Sequence, residues 1–299
     1  MKITYLLACK NSSNFIKSQI ESILSQKNVD VYISVSDDNS TDDTLSILEE
    51  YKNFSNIEVF NNNFNSFFNN FIFLILNTKY SNSDYFAFSD HDDLFDEYKS
   101  INAINALKKF SCDGYSCSVK TFKYCIGDGK IISLNKNISH FDFLFQGAGN
   151  GCTFVYSLKL FKLFSLFLLN NKTLIQNFYF HDWLLYLFTR SVQLNWFFDI
   201  NHYVNYRLHN NSTFGSKTTL SGIIKRFNLI NNNWYYDQIL IALKIFISIN
   251  PDDNFISKIY QDSISRSFTF RKLMFILTKS RRSLIERFYL LFLYFLGKI

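Results

Sequence analysis

Tyr85-Phe86-Ala87-Phe88-Ser89-Asp90-His91-Asp92-Asp93 decides how this chain folds. An unbroken apolar run meets three acids within four positions. Such a run reads as a strand buried on both faces, so the acids sit where the strand leaves the core. The same design occurs upstream, where Val31-Tyr32-Ile33-Ser34-Val35 runs into Ser36-Asp37-Asp38-Asn39-Ser40-Thr41-Asp42-Asp43-Thr44. Ligands of open α/β sheets bind outside the carboxyl ends of the strands. Like charges crowded there are costly unless a cation or a donor-rich ligand compensates them. A divalent metal and a nucleotide diphosphate are the compensators this pattern predicts.

Outward from these stretches, strands and helices alternate. Ile3 to Ala8 reads as a strand. Asn14 is placed to cap a helix with Ile16, Ile20, Ile23 and Leu24 at helical spacing. Val29 to Val35 is the second strand, and Ser40 or Thr41 can cap the next helix. Ile57 to Phe60, a helix over Phe64 to Thr78, the strand Tyr85 to Phe88 and a helix over Ile101 to Phe110 follow. This alternation predicts a parallel, doubly wound sheet in the N-terminal third. Beyond it, Tyr115 to Ile126 and Lys130 to Leu134 read as a hairpin turning at residues 127–129. Gly151 to Tyr156 reads as a strand, Leu158 to Leu169 and Phe180 to Phe188 as helices, and Asn195 to Asp199 and Tyr203 to Arg207 as two extended pieces. After Gly215 the pattern is helical, broken at the lone Pro251. The expected units are residues 1–215 and a helical extension over 216–299.

The chain has 299 residues and a net charge of +6, unevenly spread. Residues 216–299 hold 13 Lys+Arg against 5 Asp+Glu, so the rest is slightly acidic. The five cysteines have no metal-finger or thioredoxin spacing, which with the absence of signal-peptide organisation fits a reducing cytoplasm. No apolar stretch is long enough to cross a bilayer. The tail joins Lys279, Arg281, Arg282 and Arg287 to Leu284, Phe288, Leu291, Phe292 and Phe295. That is a basic amphipathic helix, suited to an anionic membrane leaflet or to packing on protein, including a second subunit.

Asp90 and Asp92 flank one residue, so both carboxylates can reach one hard cation, Mg²⁺ or Mn²⁺, that shares phosphate oxygens. Asp93 joins them or caps the helix behind. His91 reads as a pocket or surface residue. Asp37 and Asp38 accept hydrogen bonds from a nucleotide, or serve only the following helix, for which Asp42 and Asp43 suffice.

At this point the chain resembles the family-2 inverting nucleotide-sugar glycosyltransferases of GT-A fold. The resemblance rests on Ala8-Cys9-Lys10-Asn11, Ile20 to Gln26, Ser36 to Thr44 and Phe88 to Asp93. It continues through Gly149-Asn150-Gly151-Cys152-Thr153, His181-Asp182-Trp183 and Tyr206-Arg207-Leu208-His209-Asn210-Asn211. The acidic turn and the Tyr-Arg-x-His pattern look most like the rhamnosyltransferase-like branch that builds bacterial surface polysaccharides. The implied fold is a Rossmann-like, mostly parallel sheet flanked by helices. The implied donor is a nucleotide-diphosphate sugar, and the implied acceptor a lipid-linked saccharide of O-antigen or capsule. The implied place is the cytoplasmic face of the inner membrane, with no role for nucleic acid and with a homodimer open. By position, Ala8, Asp37, Asp38 and Asp90 would contact the nucleotide, and Asp90 and Asp92 the Mn²⁺ or Mg²⁺. Asp182 would be the general base, and Arg207 and His209 would approach the diphosphate. Gly149, Asn150, Gly151 and Trp183 would meet the acceptor. Ala8 stands where many relatives carry Ser or Thr, and His91 where Gln is common, so donor preference does not transfer. A nucleotidyltransferase acting on a sugar phosphate is the competing enzyme class. It would want a Gly-rich, basic phosphate loop after the first strand, where this chain offers only Lys10. A non-catalytic nucleic-acid or membrane binder using the basic tail is the third reading.

Overall fold

The computed structural model describes residues 1–79, 83–123, 126, 128–134, 138–208 and 232–299. Four parallel strands form its first half: β1 (Lys2–Cys9), β2 (Asp30–Asp38), β3 (Ile57–Asn62) and β4 (Tyr85–Ser89), in the order β3-β2-β1-β4. Their side chains divide by strict alternation. Ile3, Tyr5, Leu7 and Cys9 enter one apolar cluster, while Leu6 and Ala8 enter another on the opposite face. Both faces are covered, which is why these strands are apolar almost throughout.

The helices α1 (Ile16–Leu24), α2 (Thr44–Glu49) and α4 (Lys99–Lys109) cover the first face. The helices α3 (Phe67–Asn77), α5 (Leu158–Asn170) and α7 (His181–Ser191) cover the second, with a short α6 (Lys172–Ile175) between the last two. The C-terminal helices α8 (Trp234–Ile249), α9 (Asn254–Ile264), α10 (Phe270–Lys279) and α11 (Leu284–Phe295) add to that second cluster through Ile239, Ile256, Phe275 and Leu290. They therefore share one core with the sheet; the expected boundary near residue 215 lies outside the described residues. Pro251 falls in the break between α8 and α9, as expected.

The second half of the sheet is mixed. The strand β8 (Val155–Ser157) runs antiparallel to β4 and to β6 (Gly114–Phe122), and β6 pairs with β7 (Ile131–Ile132) as the expected hairpin. The two extended pieces expected near residues 195–207 are one strand, β9 (Trp196–Arg207), parallel to β6. The apparent gap between them is a register irregularity opposite Cys117 to Val119, where an inserted stretch disturbs the alternation. A strand missing from the expected list, β5 (Leu94–Phe95), pairs antiparallel with β9. It pins the acidic turn of residues 90–93 between two sheet attachments.

Local chemistry moves several boundaries. Asn14 does not cap α1; the N–H groups of Phe15 and Ile16 go to the Ser12 carbonyl. Neither Ser40 nor Thr41 caps α2, because Asp42 accepts from the Thr44 N–H instead. α3 starts at Phe67 rather than Phe64 because the N–H groups of residues 64–66 are held by Asp38. The expected strand at Gly151 begins as a 3₁₀ turn over Gly151–Thr153, closed by the Phe154 N–H on the Gly151 carbonyl at 2.8 Å. Cys9, Cys112, Cys117 and Cys152 are free thiols, and Cys125 lies outside the described residues.

Candidate active site

The site gathers at the carboxyl ends of β1, β2 and β4. At the end of β2, Asp37 and Asp38 are both buried. Asp37 accepts from the Ser40 N–H at 2.9 Å and from the Ser40 hydroxyl. Asp38 accepts three backbone N–H groups, from Phe64 (2.6 Å), Asn65 (2.8 Å) and Ser66 (2.9 Å). Its carboxylate thus shapes the loop between β3 and α3. That loop walls a cavity of about 140 Å³ lined by Ala8, Lys10, Asp38, Asn65, Phe67 and His91, among others. Lys10 donates to Asn65 across it at 2.6 Å. His91 belongs to this pocket, as its place in the turn suggested.

The acidic turn forms the next wall. Asp93 is fully buried and does not cap α4, which starts at Lys99. Arg207 clamps the turn: its N–H donates to Asp93 Oδ1 at 3.1 Å and its Nε to the Asp92 carbonyl at 2.8 Å. The guanidinium lies over the rings of Phe15 and Phe122. Arg207, expected near the diphosphate, braces the acidic turn through these bonds, and His209 lies outside the described residues.

Among the described residues, Asp90, Asp93 and Cys152 form the one group of three or more possible metal ligands, with their ligand atoms within 4.8 Å of one another. The expected partner Asp92 is half-buried at the rim and stays within electrostatic reach of Asp90. Burial raises the Asp90 carboxyl well above the ordinary range, and the charges of Asp93, Asp92 and Asp182 raise it further. Burial and the Asp92 charge push Asp93 up to about 8. Asp93 Oδ2 is buried without a nitrogen or oxygen donor, and the Cys152 thiol lies against the carboxyl. These are the marks of a site short of positive charge. Burial also holds the Cys152 thiol protonated, so the donor chemistry is hard oxygen, which fits Mg²⁺ or Mn²⁺.

A cation already lies underneath. Lys99 is completely buried, its Nζ 4.1 Å from the Phe95 ring centre and 4.9 Å from that of Tyr5. Burial lowers it to about 8, while Asp93 and two thiols pull the other way. Sequence reasoning missed it, because a lysine opening a helix ordinarily faces water.

Asp182 occupies the first turn of α7. One oxygen accepts the Trp183 N–H at 2.7 Å, and the Gly151 backbone also bonds to the carboxyl. Those donors favour the anion, yet burial outweighs them and raises the carboxyl to about 6. Gly151 lies hard against it: a Cβ there would stand 3.0 Å from Asp182 Cβ and 3.2 Å from Oδ2. Gly149 has a φ of +124°, a conformation that suits glycine, and Asn150 closes the 3₁₀ turn through its carbonyl. His181 stacks on Phe71 at 3.6 Å and meets Phe67 edge-on at 5.1 Å, linking the first turn of α7 to the cavity wall.

Trp183, expected near the acceptor, turns into the core. It is buried, and its indole N–H donates to the Phe143 carbonyl at 2.7 Å. A large ring beside Leu184 and Leu185 is better spent in the core, and its polar edge finds a carbonyl there.

Residues 5–167 match the family model described as Glycosyl transferase family 2. The chain is 32% identical over 295 residues to the dTDP-rhamnosyl transferase RfbG of Shigella flexneri, covering 97% of this chain and 99% of that protein. Among solved structures it resembles S. aureus TarS 1-349 in complex with UDP-GlcNAc, with a TM-score of 0.59 at 17% identity over 93% of this chain and 76% of that one. It also resembles the mannosyltransferase PcManGT from Pyrobaculum calidifontis in complex with GDP-Man and Mn2+, with a TM-score of 0.52 at 9% identity over 99% of this chain and 85% of that one. At these identities the two structures speak to the fold, which is the expected GT-A architecture.

Proposed function

The chain belongs to glycosyl transferase family 2, and from that premise we propose that it transfers rhamnose, with inversion, from dTDP-rhamnose to a hydroxyl of a lipid-linked glycan. That it is a glycosyltransferase related to rhamnosyl transferases follows from the family; donor, acceptor and stereochemistry are our reading. The observation that carries it is the convergence of Asp182 on the acidic turn that also borders the Asp38 cavity.

In this reading the nucleotide lies in the cavity between Ala8, Asn65 and His91, with Asp37 and Asp38 holding its walls and Lys10 at its mouth. Asp90 and Asp93, with Asp92 beside them, would hold a divalent cation. When bound, that ion neutralises charge on the diphosphate as a Lewis acid. Asp182 accepts the proton of the acceptor hydroxyl while that oxygen bonds to the anomeric carbon. The bond from that carbon to the phosphate oxygen breaks, and the electron pair leaves with the nucleotide diphosphate. The helix N-terminus orients the carboxylate, and Gly151 gives the acceptor a close backbone approach. Work at the cytoplasmic face of the inner membrane in O-antigen or capsule synthesis fits the rhamnosyl-transferase relative.

The test is a screen of nucleotide sugars for hydrolysis and transfer, with Mg²⁺, with Mn²⁺ and with chelator. Cation-dependent turnover of dTDP-rhamnose supports the proposal. Preference for a uridine-diphosphate hexose corrects the donor, and no turnover of any sugar nucleotide overturns the reading.

A further inference from the structure

The outward side of the last two helices is apolar and uncovered. α11 leaves Leu284, Ile285, Phe288, Tyr289, Phe292 and Phe295 exposed, Ile285 by 81%. On α10, Phe270 is 78% exposed and Met274 also reaches solvent. The helices form an antiparallel hairpin. The Tyr294 hydroxyl donates to the Thr269 carbonyl at 3.2 Å, and Arg287 donates to the Leu277 carbonyl at 3.3 Å. Leu290, Leu293 and Tyr294 meanwhile enter the core. α11 is thus apolar on two sides, and its one acid, Glu286, with a side chain 40% exposed, lies 3.9 Å from Arg281.

The arginines expected to meet lipid are turned inward. Arg281 donates to Gln146 at 3.0 Å and to the Tyr235 hydroxyl. Arg282 bonds the Gly147 carbonyl and lies 3.4 Å from Asp142, and Arg287 also holds the Arg281 carbonyl. They anchor the hairpin to the catalytic body and leave the outer face to large apolar side chains. Such a face on a monomer marks a docking surface.

Charge selects the occupant. At its ends the hairpin keeps exposed cations, Lys279 and Arg266, the latter donating to the Gly297 carbonyl, whereas both acids of residues 254–299 are paired, Asp262 with Arg271 and Glu286 with Arg281. A two-fold dimer would press this positive region against its own copy. An anionic bilayer instead accepts the apolar side chains and complements the field. We propose that the α10–α11 hairpin docks the protein on an anionic membrane, with α11 lying in the interfacial plane. Apolar insertion is the main contact and the positive field an aid. The position suits the site: Arg282 holds the carbonyl of Gly147, where an added Cβ would meet Trp183, the neighbour of Asp182, at 3.5 Å. This inference does not depend on which sugar is moved.

Vesicle flotation of the full chain tests it. The protein should float with phosphatidylethanolamine–phosphatidylglycerol vesicles, stay bound when salt is raised, and bind pure phosphatidylcholine vesicles more weakly. Ile285→Glu with Phe292→Glu should lower partitioning at least about tenfold, with unchanged melting temperature and nucleotide binding. The uncharged pair Ile285→Gln and Phe292→Gln should release the protein too, so the result does not hang on one variant's folding. A parent protein that stays with the soluble fraction overturns the proposal. So do variants that float like the parent, or a solution dimer that these substitutions split.

Discussion

Gly151→Ala tests the placement of the proposed base, Asp182, without changing its carboxyl. The added Cβ would stand 3.0 Å from Asp182 Cβ, with Asp182 Oδ2 and His181 Nε2 both at 3.2 Å. Carbon atoms rest comfortably at about 3.5–4.0 Å, so Asp182 must retreat by roughly 0.5 Å. A misplacement of about 1 Å can cost about a hundredfold in rate, so half of it should cost about tenfold in kcat, or about 1.4 kcal/mol in the barrier. Overpacking should cost about 1–3 kcal/mol of stability. Gly147→Ala is the comparison, because its Cβ would meet Trp183 no closer than 3.5 Å and should cost far less. The assay is steady-state transfer at saturating donor, acceptor and cation, with a thermal melt of each variant. A Gly151→Ala enzyme with the parent's kcat and a lowered melting temperature would refute the reasoning: the crowding would be real, but the carboxyl beside it would not matter.

Other expectations follow from the same geometry. In its proposed role as base Asp182 must be unprotonated, so the rate should fall about tenfold per pH unit below a limb near 6; a limb at the ordinary value of 3.8 would mean burial does not govern it. Asp38→Ala should destabilise the protein by about 2–4 kcal/mol in denaturant melts, since three backbone N–H groups lose their charged acceptor. An unchanged midpoint would show that the loop holds itself. Trp183→Phe should lower stability by about 1–2 kcal/mol through its lost bond to Phe143 while keeping the parent's KM for acceptor; a large rise in that KM would restore a role in acceptor binding.

The parallel half of the sheet was legible because strands covered on both faces leave an unmistakable apolar run, as in Ile3 to Ala8 and Tyr85 to Phe88. The acids at their ends were legible for the same reason. What escaped depends on partners far along the chain. Nothing local marks Leu94–Phe95 as a strand, since its ladder is made with Val204 and Asn205. Asp93 rather than Asp92 lies deepest in the acidic turn because Arg207 and Cys152 close over it, and neither is near in sequence. The basic helix was recognisable, but its facing was not. When a helix is apolar on two sides, spacing cannot say which side enters the core, and the inward arginines at 281 and 282 are set by Gln146, Gly147 and Asp142. The burial of Trp183 was not legible, because a tryptophan next to Asp182 serves a sugar or a core equally well on composition alone.

The central claim is that Asp182 deprotonates the acceptor in a pocket the acidic turn shares. Asp182→Asn measured beside the parent, for donor binding by calorimetry and for product formation by chromatography, addresses it most directly. The account predicts unchanged donor affinity with transfer reduced about 10²–10⁴-fold. Transfer at the parent's rate, with donor affinity intact, would contradict it.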